Sequence, residues 1–119
     1  MTVRRIVADL SVTALTQTRD FYVGVLGLEV VMDQGWIVTL ADPADPRVQV
    51  SLMTHDATAP VMPSVSVELG SVEEVDAAYA SCLARSDEIV HPITDEPWGV
   101  HRFFVRDPSG VVVNVLSHG

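Results

Sequence analysis

Short stretches of alternating hydrophobic and polar residues run along the chain, interrupted by two stretches with helical spacing. Period-two alternation predicts strands, and apolar residues three and four positions apart predict amphipathic helices. The first half predicts a strand, a helix and three strands, at 5–12, 18–27, 28–33, 36–42 and 48–53. The second half repeats that order, at 64–69, 71–85, 88–93, 100–106 and 111–117. We therefore predict an α+β fold built from two similar modules.

Both predicted helices have sequence signals at their ends. Thr16 is a candidate N-cap of the first helix, and Gly27 is placed to end it in the left-handed conformation. Ser71 and Glu74 form an S-x-x-E capping box at the start of the second helix.

The segment 54–63 contains two prolines and little periodicity. It predicts a linker between module one, 1–53, and module two, 64–119, within a single domain, 1–119. The sequences LADPADPRVQVSL and VRDPSGVVVNVL also align, with one extra residue in the first turn, which places Gln49 opposite Asn114. A unit that occurs twice predicts two related modules around a pseudo-twofold axis.

Composition narrows the classes of partner. The formal net charge of −9 argues against nucleic acid and anionic membranes, and it is compatible with a cationic ligand, although a solubilising acidic surface is the simpler explanation. The one cysteine, Cys82, excludes an intrachain disulfide framework and a cysteine-based zinc site. No apolar run approaches the length of a membrane span, and we find no signal peptide, so we expect a cytoplasmic protein.

Two stretches carry a family resemblance. LTQTRDFYVGVLGLEVV (15–31) and EPWGVHRFFVRDPSGVVVNVLSH (96–118) resemble the first-module and second-module signatures of the glyoxalase, bleomycin-resistance and extradiol-dioxygenase superfamily. The resemblance implies paired βαβββ modules, whose cupped mixed sheet surrounds a ligand cleft, and a homodimer. It does not specify one activity.

The metal-dependent members of that superfamily hold their ion through residues on the cleft-facing strands. Carried over position by position, the resemblance places these ligands at Val7, Gln49, Ser64 and Asn114. None of these four is a His, Glu, Asp or Cys, which are the side chains that bind first-row divalent metals. We therefore predict no metal, no cofactor and no assigned catalytic residue, and we expect the polar side chains Gln49, Ser64 and Asn114 to contact a ligand instead.

Strand alternation extends the predicted cleft lining. It places Asp9 on the face of Val7, and Ser66 and Glu68 on the face of Ser64. The two acids could pair with a cationic ligand or act as an acid and a base, whereas a salt bridge with Arg5 is the simpler alternative.

Four further residues are candidates for contact with a ligand. Asn114 offers a donor and an acceptor, unless Gln49 or a buried water satisfies it. Trp98 lies in the PWG loop, where it could stack on a flat ligand or pack beneath the loop. His101 follows this loop, and Phe103 lies on a strand, where an aromatic residue is more often part of the core.

Three functions remain open from the sequence. The first is a bleomycin-resistance-type protein that sequesters a cationic, aromatic small molecule in a metal-free cleft. The alternative is a glyoxalase-like lyase or isomerase, or a dioxygenase, with non-standard metal ligands or metal-free acid–base catalysis. The third is an accessory or regulatory domain with a vestigial cleft.

Overall fold

Eight strands and two helices build the protein, which we describe from a computed structural model of residues 1–119. Their bounds, in chain order, are β1 Val3–Ser11, α1 Leu15–Leu26, β2 Glu29–Asp33, β3 Ile37–Asp42, β4 Asp45–Met53, β5 Val65–Leu69, α2 Val72–Arg85, β6 Ile89–Asp95, β7 His101–Arg106 and β8 Val112–Ser117. The α+β class and the repeated strand–helix–three-strand order are therefore confirmed. Neither helix is long and apolar enough to cross a membrane.

The chain forms two compact units. The first unit comprises Val7–Met62, and the second comprises Met1–Ile6 together with Pro63–Gly119. The strand order is β2-β3-β4-β1 in the first unit and β5-β8-β7-β6 in the second. In each unit one pair is parallel, β1 with β4 or β5 with β8, and the other neighbours are antiparallel. The first residues of β1 thus belong to the second unit, while module boundaries within a single domain remain a prediction.

The core of the first unit is small and aliphatic. Val38, Leu40 and Leu52 are buried, and Leu15 and Tyr22 of α1 pack against them. No residue of α1 is itself buried, and the side chains that it exposes include Phe21, Val25 and Leu26. This helix is therefore held by a narrow strip of contacts.

The core of the second unit is more aromatic and encloses its helix more fully. Val75 of α2 is 0 % exposed and lies in one cluster with Leu69, Phe103 and Val105. The Tyr79 ring meets the Phe103 ring edge-on, with 5.0 Å between centroids, an arrangement that aromatic pairs favour.

The helix ends follow the sequence signals with one exception. Gly27 ends α1 at φ 72°, as predicted, and the Ser71 side chain accepts a hydrogen bond from the Glu74 amide at 3.2 Å. The Thr16 cap is wrong: α1 begins at Leu15 after Ala14, which makes no side-chain cap bond. The inward packing of Leu15 accounts for the earlier start.

Candidate functional site

A row of four side chains crosses the sheet of the second unit on the face away from α2. The strand ladders pair Ser66 with Asn114, Asn114 with Phe104, and Phe104 with His91. Because Phe103 and Val105 pack in the core with α2, alternation directs these four side chains to the other face. We call them the second-unit row; all are at least nine-tenths buried.

Asn114 is the polar centre of this row. Its exposure is 7 %, and its Nδ2 donates to Ser66 Oγ at 3.1 Å. Its Oδ1 is buried and has no hydrogen-bond partner. Buried acceptors normally have partners, since an unpaired one costs about 1–3 kcal/mol. Asn114 therefore presents an unused acceptor on an otherwise enclosed face.

The matching row of the first unit is built differently. Asp9 pairs with Ser51 in the ladder, and Ser51 pairs with Thr39, whose Oγ1 lies 2.9 Å from Ser51 Oγ. All three are buried. This first-unit row therefore contains one carboxylate and two hydroxyl groups, where the second has a hydroxyl, an amide, a phenyl ring and an imidazole.

The ladders correct the alignment of Gln49 with Asn114. Thr39 and Phe104 each lie three residues before the aspartate of a DP pair, and their ladder partners are Ser51 and Asn114. The counterpart of Asn114 is therefore Ser51, two residues beyond Gln49, because Ser51 lies nine residues after Asp42 whereas Asn114 lies seven after Asp107. The Gln49 amide instead donates to the Pro46 carbonyl at 2.7 Å.

Glu68 and Ser64 each lie two residues from Ser66, Glu68 within β5 and Ser64 just before that strand. Ser64 is exposed, and its backbone N–H donates to the Val112 carbonyl at 2.9 Å. Glu68 forms an ion pair with Arg5 and accepts a hydrogen bond from His118 at 3.0 Å. Burial raises the pKa of Glu68, but the bonds from His118 and Arg5 outweigh it, so the pKa lies below its usual value. Glu68 is therefore an ionised carboxylate that already has cationic partners.

His101 lies on the helix side of β7, not on the face of the row. Its Nε2 contacts an Asp76 carboxylate oxygen of α2 at 2.7 Å, and its Nδ1 contacts Asp95 of β6 at 2.7 Å. Partial burial lowers the pKa of His101, but the two carboxylates outweigh it and hold the pKa above 6.5. The His101 imidazole therefore links α2 to the sheet, and its contact with a ligand stays a prediction.

Phe103 is likewise a core residue. It is 0 % exposed and lies beneath α2 against Tyr79. Because β7 alternates, it is the neighbouring side chain, Phe104, that belongs to the second-unit row, and contact of Phe103 with a ligand stays a prediction.

Trp98 lies at the tip of the turn between β6 and β7 and is 37 % exposed. The Arg102 guanidinium carbon lies 5.3 Å from the Trp98 ring centroid and 4.7 Å from that of Phe104. The buried guanidinium of Arg102 therefore contacts both the Trp98 ring and the ring of Phe104, a member of the second-unit row.

Three polar residues of this region, His91, Glu96 and Arg102, were not predicted. Glu96 Oε1 lies 3.0 Å from His91 Nε2 and accepts from Arg102 Nε at 3.2 Å, and all three residues are at least nine-tenths buried. The available signal was an arginine inside the apolar strand 100–106, which needs an acidic partner when buried. Glu96, on the other side of a tight turn, is the nearest one in sequence beyond it.

Comparison with known families agrees with this arrangement of strands and helices. Residues 4–115 match the family described as Glyoxalase/Bleomycin resistance protein/Dioxygenase superfamily. The chain belongs to this superfamily. No curated protein sequence matches the chain.

Solved structures of the superfamily share the fold at low sequence identity. A superfamily member from Vibrio splendidus 12B01 is 21 % identical with a TM-score of 0.68, over 98 % of this chain and 99 % of that one. The Mn(II)-bound glyoxalase from Novosphingobium aromaticivorans is 24 % identical with a TM-score of 0.69, over 98 % of this chain and 38 % of that one. An E323L mutant of homoprotocatechuate 2,3-dioxygenase from Brevibacterium fuscum is 23 % identical with a TM-score of 0.75, over 97 % and 32 %. The chain thus spans about a third of the last two proteins.

The metal that the superfamily implies does not fit the side chains found here. Val7 is buried and has no donor atom, and Asn114 supplies a neutral amide at the last-strand position. No group of three or more His, Cys, Asp or Glu residues is placed to hold a metal ion. A first-row divalent ion requires imidazole, carboxylate or thiolate ligands, so we derive no chemical step through a metal.

Proposed function

We propose that this protein binds and sequesters a small molecule on the second-unit row, in the manner of bleomycin-resistance proteins. The observation that supports this most directly is the buried, unpartnered Oδ1 of Asn114. A ligand with an N–H or O–H group would satisfy this acceptor, and the free energy that the empty row loses to an unpaired polar atom would be recovered on binding.

The surroundings of Asn114 indicate the chemistry of the ligand. Trp98 offers a partly exposed ring at the edge of the region, which suits a flat, conjugated group. The net charge of −9 favours the approach of a cationic molecule. The local acids Glu68 and Glu96 already have cationic partners. We therefore propose that the charge of the ligand raises the rate of association more than it strengthens the contacts in the complex.

Binding without bond chemistry is the simplest activity for these residues. The row has an amide, a hydroxyl group, a phenyl ring and an imidazole bonded to Glu96, and its residues do not fit the usual metal. We further propose that the protein acts in the cytoplasm as a homodimer, as its composition and the family resemblance suggest.

A matched dye pair tests the hydrogen bond. Proflavine is a flat cation with two primary amino groups, and acridine orange has the same ring system with those groups fully methylated. Fluorescence titration should show proflavine binding at least about tenfold more tightly, the value of one hydrogen bond to an otherwise unpaired group. Asn114→Ala should remove this preference, whereas Gln34→Ala, which alters an exposed amide, should keep it. Both cations also carry a protonated ring nitrogen, so equal affinities in the wild type would exclude a contact from the amino groups, and an Asn114→Ala variant that binds both dyes as tightly as the wild type would contradict the proposed contact.

Metal content provides the second arm of the test. The purified protein is offered Fe(II), Mn(II), Ni(II) and Zn(II) in turn, excess metal is removed, and the bound metal is measured by elemental mass spectrometry. We expect no stoichiometric retention. Near-stoichiometric binding of one metal would contradict the sequestration proposal and favour a glyoxalase-like or dioxygenase activity with other ligands.

A further inference from the structure

The loop that carries Trp98 is held by backbone hydrogen bonds and by side-chain contacts of Arg102. The turn between β6 and β7 is closed by the Glu96 amide donating to the Val100 carbonyl at 2.7 Å and the Gly99 amide donating to the Glu96 carbonyl at 3.0 Å. These bonds fix the backbone of the turn. They do not fix the indole ring of Trp98, which lies at its tip and is partly exposed.

The Arg102 side chain contacts the indole ring, which the backbone hydrogen bonds of the turn do not fix. Its guanidinium carbon lies over the Trp98 ring and over the Phe104 ring, and its Nε donates to Glu96 at the start of the same turn. Stacking of a desolvated guanidinium on aromatic faces is favourable because its charge meets the negative ring face and its plane lies flat on the ring. The side chains of Arg102 and Glu96 are 5 % and 4 % exposed, so both charges are shielded from water and need each other.

We infer that Arg102 is the positioning residue for Trp98, fixing the indole ring relative to the second-unit row through the stack Trp98–Arg102–Phe104. This inference rests on the proposed function only in one respect, namely that the fixed Trp98 ring would be pre-organised to contact the ligand. The geometry of the stack can be tested without any ligand.

Tryptophan fluorescence measures the position of the ring. In a Trp36→Phe background Trp98 is the one remaining tryptophan. Arg102→Lys keeps the positive charge opposite Glu96 but removes the flat guanidinium, so we expect the emission of Trp98 to shift to longer wavelength and its protection from iodide quenching to be lost. Arg106→Lys, which alters an arginine of the same strand paired with Glu88, should cause neither change. A folded Arg102→Lys protein with unchanged Trp98 emission and quenching would overturn the inference.

A second measurement avoids the risk that Arg102→Lys does not fold. In the wild type, the Arg102 Nε–H proton should exchange with water more slowly than that of Arg47, whose side chain is 79 % exposed. Trp98→Leu should accelerate the exchange of the Arg102 proton and leave that of Arg47 unchanged. An exchange rate of the Arg102 proton that is as fast as that of the Arg47 proton, or that is unchanged by Trp98→Leu, would overturn the inference.

Ligand binding separates this inference from the proposed function. If both hold, Arg102→Lys and Trp98→Ala should weaken proflavine binding by the same factor. If Trp98→Ala weakens binding and Arg102→Lys does not, the positioning role is overturned and the binding function stands. If the wild type binds neither dye, the proposed function fails, while the fluorescence and exchange results still decide the role of Arg102.

Discussion

The two units repeat one order of strands and helices but bury different side chains at equivalent places. In the first-unit row the centre is Ser51, bonded to Thr39, and in the second-unit row it is Asn114, whose Oδ1 lacks a partner. The helices differ as well, since α1 has no buried residue and α2 buries Val75 completely. The repeat therefore preserves the pairing of strands, whereas the fully buried helix residue and the unpaired polar atom occur in the second unit.

The largest expected effect comes from removing an aromatic ring beneath α2. Phe103→Ala should lower the free energy of unfolding by about 3–5 kcal/mol, because it deletes a fully buried ring and leaves a cavity. Phe21→Ala on α1 is the matched control, and it should cost less than about 1 kcal/mol since that ring is 52 % exposed. Urea unfolding monitored by circular dichroism measures both. Equal losses would mean that α1 is packed as firmly as α2.

A smaller loss is expected from breaking the buried ion pair of the second unit. Glu96→Gln should destabilise the protein by about 3 kcal/mol, because it removes the charge that compensates the buried Arg102. Glu88→Gln, which breaks the exposed pair with Arg106, should cost less than about 1 kcal/mol. Chemical denaturation of the two variants provides the comparison. A loss as small for Glu96 as for Glu88 would show that the buried network does not depend on the Glu96 carboxylate.

A still smaller effect should appear as a dependence of stability on pH. The pKa of folded His101 is raised by Asp76 and Asp95, so the imidazolium stabilises the fold fully below the unfolded pKa of 6.5. This stabilisation is lost as the pH rises through the higher folded pKa. Melting temperatures should therefore fall from pH 6 upward more for the wild type than for His101→Gln, and the control His55→Gln should follow the wild type. If the melting temperatures of His101→Gln and the wild type change in parallel with pH, the proposed stabilisation by His101 between α2 and the sheet would be contradicted.

Much of the fold follows from local patterns in the sequence. Alternation predicts the strands, and Gly27 and Ser71 mark helix ends correctly, because these signals depend on neighbours in the chain. The start of α1 was misplaced since the packing of Leu15 into the core overrides the capping preference of Thr16.

The site was less accessible to sequence reasoning. Period-two alternation separates the two faces of a strand. It places Ser66 on the face of Asn114, and on β7 it places His101 and Phe103 on the α2 face, opposite Phe104. The equivalence of Ser51 and Asn114 depends on the length of the first turn, and the sequence alignment differs from the strand ladders there by two residues. The network of Glu96 and Arg102 is a tertiary contact, because it depends on a hairpin closing and on burial that no local pattern reports.

The most direct test of the account compares the centres of the two rows. Proflavine affinity and the free energy of unfolding would be measured side by side for Asn114→Ala and Ser51→Ala. We predict that Asn114→Ala weakens binding at least about tenfold. The stability change should stay below about 1 kcal/mol, because removal of the unpaired Oδ1 offsets the lost bond from Nδ2 to Ser66. Ser51→Ala should leave the affinity unchanged and lose stability, because it breaks the bond with Thr39. Unchanged binding in Asn114→Ala, or an equal loss of binding in Ser51→Ala, would contradict the claim that the second unit holds the ligand.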